Sequence, residues 1–322
     1  MRFLSAVAVA SLLAAGTVQA QGSKTANPAC TGLAGDTCQQ AVDFFYYMTP
    51  QLGTAMTGAN TTLAQGGALG GMRFGFMPRF AIDARVNVVL GNIPNFSPAA
   101  GAPAAKSMTA KSGMIPMPAI DVALGVFKGV PLGVTNVGGV DLLASAIYVP
   151  KINNSDFTLT PASSLSMGYG VRVGLLQEGL VSPGVGFSFI KRAMPATDLG
   201  STQGSATFTV NKLDLSSSAW RLTVSKSLLL FGLAVGYGQD SYKSSIGSIS
   251  AQNGVTTVST PALKNDMKRT NMFADLSMNL FVMKIVASGG IVSGGDMATF
   301  NTYDNAANKS RPYGSVGVRF GL

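Results

Sequence analysis

Between residues 72 and 90 every even position is apolar: Met72, Phe74, Phe76, Pro78, Phe80, Ile82, Ala84, Val86, Val88 and Leu90. The odd positions include Arg73, Gly75, Arg79, Asp83, Arg85 and Asn87. Successive side chains of an extended chain point to opposite faces, so a period of two builds a strand with one apolar and one charged face. The pattern recurs. Leu165, Met167, Tyr169, Val171, Val173 and Leu175 alternate with Ser166, Gly168, Gly170, Arg172 and Gly174. Trp220, Leu222 and Val224 alternate with Arg221, Thr223 and Ser225, and Met272, Ala274, Leu276 and Met278 with Asn271, Asp275, Ser277 and Asn279. Residues 185–189 and 229–237 follow the same rule, while 119–127, 140–149, 206–210 and 285–292 read as further strands.

What such strands enclose depends on composition. Hydrophobic residues make up 47% of the chain and charged residues 11%, well below the ~25% of soluble domains. Yet the densest apolar run after the N-terminus, residues 228–235, is interrupted by Gly232 and falls short of the ~18 residues of a spanning helix. A bilayer admits only helices or closed barrels, so losing the first promotes the second. A soluble sandwich also alternates, but it coats its outer face with charge. Here the non-apolar face is mostly Gly, Ser, Thr and Asn with an occasional Arg or Asp, as suits a curved wall around a wet lumen. We therefore expect an all-β, antiparallel, up-and-down transmembrane barrel over residues 69–322. Eleven strands are visible with the C-terminal segment, and bacterial barrels use even numbers. The expectation is about twelve strands within a range of 10–14, one being hidden before Gly71 or in a loop. Tight turns are expected at Ser227 and at Met283-Lys284, and long polar loops at 241–269 and 295–311.

The N-terminus reads as an export signal: Arg2, an apolar stretch over 3–15, then Val18-Gln19-Ala20 before a cut at Gln21. Residues 21–68 form a separate segment, luminal or periplasmic. Its Cys30 and Cys38 are the chain's only cysteines, and an oxidising compartment would pair them in a disulfide. Asp36 stands where a helix N-cap would, opening a short helix through Met48 with Val42, Phe45 and Met48 on one side.

The ending Tyr313-Gly-Ser-Val316-Gly-Val318-Arg-Phe320-Gly-Leu322 resembles the terminal strand of bacterial outer-membrane barrels. In that superfamily the terminal strand is read by the barrel-assembly machinery and usually ends in Phe, where this chain has Leu322. Residues 28–68, with Asn27-Pro28-Ala29, resemble the luminal hatch of the long-chain fatty-acid transporters. A periplasmic lead-in is the alternative for this segment. The resemblance implies a bacterial outer-membrane location with membrane lipid as the chain's surroundings.

Histidine is absent, which removes Ser-His-Asp and Cys-His nucleophiles, histidine bases and nearly every catalytic zinc set. Outer-membrane barrel enzymes resemble one another in relying on a histidine, so no enzyme is expected, nor any cofactor or metal. The glycines at 66, 67, 70 and 71 lack the Lys-Ser/Thr of a phosphate loop and read as bend or edge glycines. Net charge is +9, but the basic residues are isolated, which argues against nucleic acid. The pairs Lys191-Arg192 and Lys268-Arg269 read as rim charges contacting lipid phosphates. Trp220, Tyr169 and Tyr237 fall on the apolar face as an interfacial girdle.

Candidate lumen-lining residues are Arg73, Arg79, Asp83, Arg85, Arg172, Arg221, Asp275 and Arg319. They either contact a solute or form an ion-pair network that stiffens the barrel. As a pore lining, the arginine excess implies mild anion preference. Three functions remain open: a porin or passive transporter for small solutes, a hatch-gated transporter of hydrophobic compounds, and a closed structural or adhesive barrel contacting a partner through 241–269.

Overall fold

The computed structural model describes residues 25–59, 62–70, 72–73, 77–154, 157–295 and 297–321. The segment read as an export signal and the side chain of Arg73 lie outside the described residues. Ten strands form a closed antiparallel ring: β1 (Met77–Pro94), β2 (Ala110–Phe127), β3 (Gly139–Tyr148), β4 (Leu165–Leu176), β5 (Gly184–Gln203), β6 (Ala206–Leu228), β7 (Phe231–Ile246), β8 (Leu263–Leu280), β9 (Met283–Ser293) and β10 (Arg311–Gly321). Each pairs with its sequence neighbour, and β10 closes on β1 with Val316 opposite Val86 and Ser315 opposite Asn87. Closure satisfies every wall strand on both edges, which a bilayer requires. No helix among the described residues is long and apolar enough to cross a membrane.

The ring has ten strands where twelve were expected, and β6 shows why the count ran high. Residues 206–210 and 220–224 read as two strands but belong to one strand of 23 residues. Lys212 adopts a left-handed φ of 52°, and the burial phase shifts there, from Phe208 and Val210 inward above to Leu213 and Leu215 inward below. A bulge that inserts one residue breaks the two-residue phase without ending the strand. The turns also shift, to Leu229-Leu230 and Phe281-Val282. Leu229 and Phe281 are fully exposed at positive φ; apolar residues at a turn hide it from a reading that looks for polar punctuation. The loop expected over 241–269 is largely strand: β7 runs on to Ile246, β8 starts at Leu263, and a hairpin of Ser248–Asn253 and Thr256–Thr260 pairs along the upper part of β6.

Along β7 the polarity of the wall inverts. Phe231, Leu233, Val235 and Tyr237 face outward, followed on the same face by Gln239, Ser241, Lys243 and Ser245. The inward face goes the other way, from Gly232, Ala234, Gly236 and Gly238 to Tyr242 and Ile246. β8 repeats this, with Met272, Ala274, Leu276 and Met278 outward below and Lys264, Asp266, Lys268 and Thr270 outward above. The lower part is apolar outside, the pattern the sequence leads us to expect of a band facing lipid. The upper part is apolar inside, like a soluble protein, and outruns the ~9–11 residues a strand needs to cross.

That upper core is built around one helix, α1 (Gly35–Thr57), which lies inside the ring with nearly every side chain buried, Val42, Phe45 and Met48 included. It is longer than the short helix expected and starts after Ala34 rather than at Asp36. Pro50 and Gly53 lie within it, residues that ordinarily end a helix. Inside the barrel the helix is buried, and Thr49, Thr54 and Thr57 donate their hydroxyls to the carbonyls of Phe45, Pro50 and Gly53. Gly53 passes against Tyr242, where an added Cβ would lie 2.8 Å from the ring. Cys30 and Cys38 are disulfide-bonded as expected, tying the approach segment to the first turn of α1.

Candidate functional site: the filled lumen

The helix enters at the end carrying the long loops. Asp36 accepts hydrogen bonds from Ala99 N (2.7 Å), Gln40 Nε2 (2.9 Å) and Lys106 Nζ (2.8 Å). Asp43 accepts from the Phe300 and Asn301 amides, each at 2.9 Å. Around this half the seal is aromatic. Phe44 packs on Phe157 and Phe208 with ring centroids 6.5 and 5.2 Å apart, Phe96 meets Phe208 at 4.8 Å, and Tyr47 meets Tyr303 at 5.0 Å.

Halfway down, the wall turns polar and its arginines meet the end of the helix. Arg85 donates NH1 to Gly58 O (2.8 Å) and to Asn87 Oδ1 (2.6 Å), and Nε to Asp121 Oδ2 (2.6 Å). Arg221 donates NH2 to Thr57 O (3.3 Å) and Asp240 Oδ1 (2.5 Å). Helix C-termini present unpaired carbonyls and a partial negative charge, so guanidinium groups are suitable caps there.

Below α1 the chain continues as irregular backbone over 62–70, with amides and carbonyls that the helix no longer satisfies. Wall side chains take them up. Asp83 Oδ2 accepts from Leu63 N (3.3 Å), Asp275 Oδ2 from Ala64 N (3.0 Å) and Asp141 Oδ1 and Oδ2 from Leu69 N (3.1 and 3.0 Å). Ser225 Oγ accepts from Gly66 N (2.9 Å). In return Arg319 NH1 donates to Leu63 O (3.0 Å), Gln177 Nε2 to Ala68 O (3.1 Å) and Arg79 NH1 to Leu69 O (3.3 Å). Arg172 donates to the Thr62 hydroxyl and holds Asp141 through Nε and NH2 (2.8 and 2.6 Å). Buried polar groups must be paired, and here wall and plug pair each other.

Seven of the eight residues singled out from the sequence are thus placed. Asp83, Arg85, Arg172, Arg221, Asp275 and Arg319 are buried against residues 57–65 or their ion-pair partners, and Arg79 is exposed at the turn end. Arg73 is the eighth. The sequence reading missed Asp121, Asp141, Asp240 and Arg311, and it read Arg192 and Arg269 as rim charges. All six are buried inside the ring, these last two because they fall on the inward parity while Lys191 and Lys268 beside them point outward. Asp121 accepts from both Arg85 and Arg192 (2.6 and 3.3 Å). The signal was available, since Asp121 alternates with Ile120 and Val122, and Asp141 with Val140 and Leu142. With all six included, the inward set holds nine arginines against five aspartates, so the excess of four that suggested anion preference is unchanged.

Two open cavities flank the plug. One of about 720 Å³ at the loop end is bordered by Asn95, Phe96, Lys106, Thr109 and Gln203; one of about 390 Å³ at the turn end is bordered by Gln65, Leu69, Arg79, Glu178 and Lys284. The aromatic seal and the ion-paired belt lie between them.

No family model and no curated protein matches the sequence. Among solved structures the chain is similar to the translocator domain of autotransporter NalP from Neisseria meningitidis, at 10% identity over 88% of this chain and 98% of that one, with a TM-score of 0.34. It is also similar to a deletion mutant of the monoaromatic hydrocarbon channel TodX, at 12% identity over 76% and 67%, TM-score 0.32. A third is the outer membrane channel DcaP of Acinetobacter baumannii, at 7% identity over 79% and 100%, TM-score 0.20. At these identities and scores the likenesses carry no argument about what this chain does.

Proposed function

We propose that this chain is a bacterial outer-membrane barrel that is closed at rest by its own residues 25–70 and passes a small, largely apolar solute when that plug shifts. One observation carries the reading: the inward charges that a porin would turn toward its solute are bonded to the plug, as Arg85, Arg221 and Arg319 are, or to one another and the wall, as Arg192 is. The lower plug is irregular backbone held by wall side chains, with no ladder of backbone hydrogen bonds to break. A segment held in this way can leave as a unit. The aromatic half around α1 supports an apolar solute, because a displaced helix would expose Phe44, Phe157 and Phe208 to the passage. Membrane placement rests on the outward apolar band.

Single-channel recording in planar bilayers tests this. Wild type should be silent at rest. Asp141→Ala with Asp275→Ala, which removes two acceptors of the plug's amides, should give discrete openings from a barrel that still migrates as a folded, heat-modifiable band. Steady conductance from wild type would sink the closed state. Silence from the double variant and from a variant lacking residues 25–68, both folded, would favour the closed structural barrel. That second reading draws on the upper wall, whose polar exterior and apolar interior resemble a protein surface built to stand in water.

A further inference from the structure

On the outward face of β5–β8 the strand register stacks rungs of defined chemistry. The upper edge of the apolar band carries Phe187 opposite Leu222, which in turn faces Tyr237, then Phe189 opposite Trp220. Trp220 stacks on Phe187 at 6.0 Å and meets Tyr237 edge-on at 5.9 Å. One rung higher the face turns basic and hydroxylic: Lys191 opposite Ser218, Ser218 opposite Ser241, Ser241 opposite Lys268. The next rung sets Lys243 between Ser216 and Asp266, and Lys264 follows opposite Ser245. Diagonal neighbours on adjacent strands lie within reach of long side chains, so Lys243 can converge with Lys268 on one side and Lys264 on the other. All four lysines are exposed, and none has an ion-pair or hydrogen-bond partner among the described residues. Asp266, and Asp214 above it, share this face and leave it net positive.

Aromatic rings at the end of an apolar band mark the hydrocarbon boundary. Unpartnered ammonium groups one rung beyond it stand at the height of lipid headgroups, where basic residues attract anionic lipid. We infer that this ledge is a binding site for the phosphate of a membrane-lipid headgroup, held by Lys191, Lys243 and Lys268 with the Ser218 and Ser241 hydroxyls, its acyl chains lying along the Phe187-Trp220-Tyr237 cluster. The site lies on the outer wall and is independent of whether the plug moves.

Trp220 is the chain's one tryptophan and reports on the ledge directly. The full mature chain is refolded into phosphatidylcholine vesicles containing chain-brominated phosphatidic acid or, in parallel, brominated phosphatidylcholine, and quenching is compared at equal mole fraction. Phosphatidic acid should quench preferentially, and the preference should fall about fivefold for each lysine removed in Lys243→Gln and Lys268→Gln. The Lys243→Arg/Lys268→Arg pair should keep it, as should Lys151→Gln on another part of the rim. Excess inorganic phosphate should leave it intact. Equal quenching by the two lipids in wild type overturns the site. So does full preference in Lys243→Gln/Lys268→Gln, equal loss in Lys151→Gln, or displacement by inorganic phosphate. Should the glutamine variants fail to fold, the wild-type lipid comparison and the arginine pair still decide.

Discussion

At Asp121 two arginines share one carboxylate. Arg85 and Arg192 reach it at 2.6 and 3.3 Å, and all three side chains are buried. Removing one member of a buried ion pair strands the others in a poor solvent, at about 3–5 kcal/mol. Asp121→Asn should therefore cost that much in urea unfolding of the refolded barrel. Arg79→Ser, at an exposed position with one 3.3 Å bond to Leu69 O among the described residues, should stay within about 0.5 kcal/mol. Both residues are inward-parity charges in the sequence, and only the structure separates them: one lies in the packed belt and the other at the open turn end. Alternation shows which face a side chain takes; it carries no information about height along the barrel or about what fills the middle.

The elements show where local rules yield to their surroundings. At Lys212 the chain takes a left-handed φ, which any side chain resists and a β-branched one resists most. Lys212→Gly should be neutral or mildly stabilising, and Lys212→Val should cost about 1–2 kcal/mol, again read from the unfolding midpoint. For α1 the telling contact is Gly53 against Tyr242. Gly53→Leu has no room there, so the helix must leave its seat; the expected outcome is a barrel that still closes but whose residues 35–57 become sensitive to protease in intact vesicles. Protection equal to wild type would show that the wall can yield instead. The disulfide and a helix near Asp36 were legible because both have local signatures. The helix's second half, past Pro50, was not, because what holds it is the barrel wall.

In the whole molecule two solvents are written into one wall. Below, Phe231, Leu233, Val235 and Tyr237 face outward while glycines and serines face in; above, lysines and serines face outward while Tyr242, Ile246, Leu213 and Leu215 face the helix. The sequence alone determined a strand wall with one apolar side, because alternation and the lack of a long apolar run are local properties, and a bilayer would admit such a wall only as a closed barrel. It also determined the exclusion of histidine chemistry. Tertiary structure decided the ring of ten, the parity shift at Lys212, the inversion of polarity above the band and the partners of the inward charges. Each depends on which distant residue stands opposite, Asp141 beside Leu69 or Arg85 beneath Gly58, and a two-residue period is blind to that: it assigns a side chain to a face, while pairing and burial assign it a neighbour.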